Sequence, residues 1–244
     1  MHRFFLPKAF SPVMTITGMD AHHIKDVLRL QAGDQVQVVA DDGITALGTI
    51  TAVTTGSISL ACTRLETGSH EPRVRLALAQ GLAKGEKMEW VIQKAVELGA
   101  SIIYPVAMRH AVVQLDAAQA AKKVQRWQKI AETAAKQCKR DLVPKVAPVQ
   151  TLGEVLQADA SQLKLLAYES EQQVSLKAVL EAHSDVTSVL VIIGPEGGLA
   201  ETEVEAATAA GAISVSLGRR ILRTETAGMV ALAAILYASG DLGL

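Results

Sequence analysis

The sequence predicts an α/β protein: a mostly parallel sheet with helices on both faces, preceded by a small β-barrel. Three observations carry that expectation. From about residue 73 onward, apolar strand-like runs alternate with helix-periodic segments, a pattern that buries helices against both faces of one sheet. Before residue 72 the runs are short, alternate apolar with polar residues and are separated by tight turn signals, which suits a small barrel. Late in the chain two runs, 189–193 and 213–217, each lead through glycine into a helix-like segment. The expected domains are 1–72 and 73–244, joined at Glu71-Pro72-Arg73.

In the first domain, residues 14–17 form a short strand. Asp20 is placed to cap a helix running to Leu30, with Ile24, Val27 and Leu28 on its apolar face. Val36 and Val38 alternate with Gln35 and Gln37, and Asp41-Asp42-Gly43 signals a hairpin. Strands at 44–53 and 57–65 follow. Arg3, His22, His23, Lys25 and Arg29 gather here. They suit a solvated helix face or contacts to RNA phosphate; nothing else at metal-ligand spacing accompanies the histidines.

In the second domain, strands are expected at 74–79, 102–106 and 163–167. The segment 84–98 is helical, with Met88, Val91, Ile92, Ala95 and Leu98 on one face and Gly99 as its stop. Asp116 can cap a long helix to about Cys138, turning Trp127, Ile130, Ala131 and Ala134 inward. Thr151 and Glu154 have capping-box spacing, and Ser175 can cap a helix to Ala182. The last helix, 226–238, is apolar almost all round and should be fully buried, in its own core or against a second copy. Thr224 or Glu225 should start it.

Hydrophobic residues make up 49% of the 244, enough for a substantial core, while aromatics supply only 3%. A net charge of −1 argues against a broadly basic coat and leaves room for a local basic groove. Cys62 and Cys138 form neither a disulfide framework nor a metal set and read as reduced thiols, so a cytoplasmic protein is expected. The opening apolar run is too short for a signal peptide, and the last helix is too short to span a bilayer. No membrane partner and no metal are expected.

The chemistry concentrates in two loops. Gly194-Pro195-Glu196-Gly197-Gly198 follows one strand, and its glycines allow backbone N–H groups to approach a ligand. Leu217-Gly218-Arg219-Arg220-Ile221-Leu222-Arg223-Thr224-Glu225-Thr226 follows the next. Ile221 and Leu222 could wall a flat ring, and the arginines could hold phosphate or carboxylate. Gly81-Leu82-Ala83-Lys84-Gly85 is no P-loop, because no Gly-Lys-Ser/Thr triplet follows. The sequence has no G-x-G-x-x-G, which disfavours a Rossmann dinucleotide site.

These loops, with MHRFF at the start, HHIKDVLRLQAGD, KGEKMEWVIQKAVELGA and RWQKIAETAAKQCKR, resemble the SPOUT methyltransferases. Among them they resemble the RsmE family, which methylates N3 of a uridine in 16S rRNA of the small ribosomal subunit. The resemblance runs nearly end to end. It implies a PUA-like RNA-recognition barrel, a C-terminal trefoil knot, S-adenosyl-L-methionine as cofactor and a homodimer acting on 16S rRNA or the assembled small subunit.

On that basis the expected cofactor residues are Gly194, Pro195, Glu196, Gly197, Gly198, Leu217, Gly218, Ile221, Leu222 and Thr226. The expected RNA contacts are Arg3, His22, His23, Arg29, Arg109, Lys139 and Arg140. For the chemistry, Arg223 is expected to offset charge developing on uridine O2 or O4. Glu225, beside a helix N-terminus, is expected to orient an arginine, and Glu196 to brace its loop or take the N3 proton. The chain departs from the family at Met108, where a Glu precedes the Arg, at Lys136, where an acid is usual, and at Lys139, often Gly. These changes touch the RNA side. The other reading is a non-catalytic RNA-binding factor for ribosome assembly, against which the second ligand cradle speaks.

Overall fold

The structure is a computed structural model that describes residues 1–65 and 69–242. It divides into two compact units, 1–71 with 135–143, and 72–134 with 144–242.

The first unit is a five-stranded sheet. β1 (Arg3–Leu6) lies parallel to β3 (Gln35–Ala40). β2 (Val13–Thr17), β4 (Thr45–Val53) and β5 (Ser57–Arg64) add antiparallel ladders in the order β1-β3-β4-β5-β2. Alternation does the sorting: Val36, Val38, Ile58 and Leu60 are fully buried, with Phe4, Met14, Ile16 and Ile24 in the same core. Gly43 takes φ +78 in the β3–β4 turn, the left-handed region its Asp-Gly signal requires.

The helix expected at 20–30 is shorter and differently capped. α1 (Gly18–His22) widens into a π-type turn, His23–Val27. Asp20 is inside the helix and caps nothing; its carboxylate receives Lys136 Nζ at 2.8 and 3.0 Å. Val27 is exposed, because the wider turn rotates it off the core face.

The second unit is built on a parallel sheet. β6 (Arg75–Gly81) leads into α2 (Lys87–Glu97), which stops at Gly99 with φ +79. β7 (Ala100–Ala107) is followed by α3 (Ala117–Gln137), whose start is capped by Asp116 Oδ1 accepting from Gln119 N at 2.8 Å. β8 (Lys145–Val146) and β9 (Gln150–Thr151) are short additions to the β7 edge. α4 (Leu152–Ala158) begins with the expected Thr151–Glu154 capping box. β10 (Leu163–Ala167), α5 (Leu176–Ala182), β11 (Ser188–Ile193), α6 (Glu201–Ala209), β12 (Ala212–Val215) and α7 (Thr224–Ala238) complete the chain.

The sheet order is β12-β10-β11-β6-β7-β8, with every pairing parallel. β6 and β11 are buried along almost their whole length, as central strands covered on both faces must be. Gly81 must lack a side chain: a Cβ there would meet Pro195 N at 2.5 Å, so β6 ends hard against the turn after β11.

The expectation that the last helix is buried all round is not met within this chain. Gly228, Ala231, Leu232, Ile235 and Leu236 of α7 face the core, but Val230 and Tyr237 are exposed and Met229 and Ala233 half-buried. One sheet and its neighbouring helices cover one side of the helix and leave the other partly open.

Candidate functional site

The carboxyl ends of β10, β11 and β12 open onto a cleft of 520 Å³ in the second unit. Its lining combines the turn 194–198 with the loop 216–225 and includes Tyr168 and Glu169 beyond β10. This is where an open parallel sheet places ligands.

The first loop is shaped by missing side chains. A Cβ on Gly197 would meet His110 O at 2.5 Å, and one on Gly198 would meet Glu169 Oε1 at 2.6 Å, with φ already +75. Gly218 has open space around it but φ +115, so conformation rather than crowding demands glycine there. The two loops are tied from beneath. Thr224 Oγ1 donates to Gly194 O at 2.6 Å and accepts from the buried Gln80 Nε2 at 2.7 Å. Thr224 is also the first residue of α7, so this relay fixes where that helix begins relative to the first loop.

An ionic cluster ties them again. Lys87 Nζ lies 3.0 Å from Glu196 Oε1 and 3.4 Å from Glu225 Oε2. Glu196 Oε1 also accepts from Lys84 N at 3.0 Å. Burial would raise the Glu196 carboxyl, but the Lys84 N–H and the Lys87 ammonium win and hold it below the usual carboxylate range. Hydrogen bonding to Glu196, ahead of the opposing cost of burial, raises Lys87 above the ordinary lysine value. Glu196 thus ties its loop to Lys84 and Lys87 and is less basic than an ordinary carboxylate. The cation beside Glu225 is Lys87, and no arginine forms an ion pair with it among the described residues.

Of the expected cofactor residues, Gly194, Pro195, Glu196, Gly197, Gly198, Leu217, Gly218, Ile221 and Leu222 all line the cleft. Thr226 is exposed on the first turn of α7 and is not part of the lining. Ile221 is 86% exposed, an apolar side chain standing in solvent at the cleft wall. Arg219, Arg220 and Arg223 line it too, exposed and without an ion pair among the described residues. Gln80, Glu169, Tyr168 and Lys87 have no role in the sequence reading; KGEKMEW at the start of α2 was the one signal for Lys87.

The expected RNA contacts separate. His22, His23, Arg29 and Lys139 are exposed in the first unit and Arg109 in the second. Arg29 and Lys139 have φ +56 and +62, backbone that disfavours side chains. The often-Gly position at Lys139 thus has a conformational reason. Arg3 and Arg140 are different: they are 5% and 3% exposed. Arg3 Nη2 binds Asp141 Oδ1 at 2.5 Å and Thr45 Oγ1 at 3.2 Å, and Arg140 Nε binds Glu71 Oε2 at 2.9 Å. A guanidinium held this way is structural and is not presented to a phosphate. The departures fit too: Met108 is buried in the core around β7, and Lys136 pairs with Asp20 and lies 5.6 Å from the Phe4 ring centre. Among the described residues there is no group of three or more His, Cys, Asp or Glu that could hold a metal. Among the described residues no helix is long and apolar enough to cross a membrane.

Comparison with known proteins adds relatives along the whole chain. Residues 70–236 match an RNA methyltransferase domain, and residues 16–61 an RNA methyltransferase PUA domain. The ribosomal RNA small subunit methyltransferase E of Bacillus subtilis is 39% identical over 93% of this chain and 91% of its own. The Synechocystis protein of that name is 34% identical over 91% and 72%. The crystal structure of the Neisseria gonorrhoeae protein of that name, bound to S-adenosyl methionine, superposes with a TM-score of 0.86 at 32% identity, covering 97% of each chain.

Proposed function

This chain belongs to the ribosomal RNA small subunit methyltransferase E family, and from that premise we propose that it transfers the methyl group of S-adenosyl-L-methionine to N3 of a uridine in 16S rRNA. The observation that carries the reading is the pair of loops, 194–198 and 216–225, lining one cleft at the strand ends. The cleft fits the cofactor. Its volume is that of a nucleoside-sized site, its glycine turn tolerates no Cβ at Gly197 or Gly198, and Leu217, Ile221 and Leu222 offer apolar surface to a ring. When bound, the cofactor supplies an electrophilic methyl and needs no metal.

The protein's part is placement and charge. Holding uridine N3 in line with the methyl removes much of the barrier. N3 must lose a proton, and the resulting charge spreads to O2 and O4. Arg223, cationic and without an ion pair among the described residues, is the donor proposed to offset it. Lys87 keeps Glu196 and Glu225 in their loops while this happens. His22, His23, Arg29, Arg109 and Lys139 are the proposed phosphate contacts, and the first unit serves as the PUA-like recognition module. The reading includes the trefoil knot of the family, with the two glycine loops forming its cofactor pocket. A second copy of this chain is proposed to cover the open apolar side of α7; light scattering that shows only a 25.8 kDa species would refute that part.

The test of the activity is methyl transfer from labelled cofactor to 16S rRNA, free or in small subunits, from cells lacking this protein. An N3 methyl blocks the pairing edge, so reverse transcription should stop at one uridine. Labelling of another base or position would refute the N3 assignment, and no transfer to either substrate would favour a binding factor without catalysis.

A further inference from the structure

We propose that Glu169 accepts the α-ammonium group of the cofactor's amino-acid tail, an inference that rests on the methyl-donor reading above. Glu169 lies two residues past β10 and lines the cleft. Its position against the first loop is built in: Gly198 has no Cβ, and one there would sit 2.6 Å from Glu169 Oε1. A residue with any side chain at 198 would push the carboxylate away.

Charge bookkeeping within the cleft singles this residue out. Three carboxylates line it, Glu169, Glu196 and Glu225. Lys87 lies against both Glu196 and Glu225. Glu169 is exposed and has neither ion pair nor hydrogen bond among the described residues. The cations without a carboxylate are Arg219, Arg220 and Arg223, all on the second loop. The cleft therefore offers one uncommitted anion, beside the glycine turn, and several uncommitted cations on a different segment. An amino-acid tail carries an ammonium and a carboxylate on the same carbon and needs that pairing of opposite charges. The adenine and ribose can donate hydrogen bonds but carry no charge, so they would leave Glu169 without a counter-ion.

Calorimetry on Glu169→Gln decides it. Three probes are titrated into wild type and variant: S-adenosylmethionine, S-adenosylhomocysteine and 5′-methylthioadenosine, which lacks the amino-acid tail. Glutamine keeps the size and removes the charge, and the residue is exposed, so the fold is retained. Losing a charge-assisted hydrogen bond should weaken the first two probes by about tenfold or more, and by equal factors, while 5′-methylthioadenosine binds both proteins alike. An equal loss for 5′-methylthioadenosine would move the contact to the nucleoside and overturn the assignment. A loss for S-adenosylmethionine alone would move it to the sulfonium and overturn it too, as would no loss for any probe. Wild type that binds none of the three would instead refute the methyl-donor reading itself.

Discussion

In the first unit Arg3 and Arg140 are sealed from solvent and each faces a carboxylate, Asp141 and Glu71. In the second, Arg219, Arg220 and Arg223 stand exposed along the cleft with no carboxylate against them among the described residues. The residue type is the same and the work is opposite. A guanidinium under cover must have its partner supplied by the fold, because a buried unpaired charge is costly. A guanidinium in the open, with its donors uncommitted, is available to a substrate. Positive charge in a sequence is thus no guide to a nucleic-acid surface until the acids around it are placed.

The largest expected effect tests the covered side of that contrast. Arg140→Ala takes the cation from Glu71, whose side chain is 18% exposed and keeps, among the described residues, only the Asp141 N–H at 2.8 Å, and should cost about 3–5 kcal/mol in urea unfolding. Arg219→Ala should stay within about 0.5 kcal/mol. Equal losses would erase the distinction.

Next comes the open side. Arg223→Ala should lower the single-turnover rate of methyl transfer by about 10²–10³, with cofactor affinity near normal. A rate restored by saturating RNA would make Arg223 a binding residue.

A smaller effect follows from pH. Burial would raise the Asp141 carboxyl, but the His70 N–H at 2.6 Å and the Arg3 guanidinium overcome that and hold it below the ordinary aspartate range. A depressed carboxylate contributes stability that is complete above the unfolded value, about 3.9, and is lost as pH falls through the lower folded value. Asp141→Asn should therefore be less stable than wild type at neutral pH and flatten the acid limb of the melting-temperature profile. A variant with the wild-type acid slope would remove Asp141 from the account.

The smallest effect sharpens the comparison at one residue. Lys139 is exposed and has φ +62. Lys139→Gly should stabilise by about 1 kcal/mol by relieving left-handed strain, yet lower the salt slope of RNA binding by about 0.7 through one lost phosphate contact. An unchanged slope would leave Lys139 with no role in RNA binding.

Much of this was legible in the sequence because it is local. The Asp116 cap, the Thr151–Glu154 box, the Gly99 stop and the strands β2 to β7 and β10 to β12 are written in neighbouring residues. The glycine loops were legible for the same reason. What escaped depends on distance along the chain. β1 has its partner in β3, and β8 and β9 are two residues long, below what any periodicity can reveal. Arg140 is structural because Glu71 meets it from 69 residues away. Lys87 is a brace because two loops more than a hundred residues downstream bring it their carboxylates.

The return of 135–143 to the first unit has a genetic consequence. The polypeptide passes between units at 71/72, 134/135 and 143/144, so neither unit is a contiguous reading frame. A gene fragment starting at codon 73 would encode Arg140 without Glu71 and Asp141 without Arg3, stranding charges whose partners lie upstream of the cut. Recombination could not lend the first unit to another enzyme as a cassette by a single crossover. A workable excision would have to replace 135–143 by a short loop in one product and graft it onto 1–71 in the other.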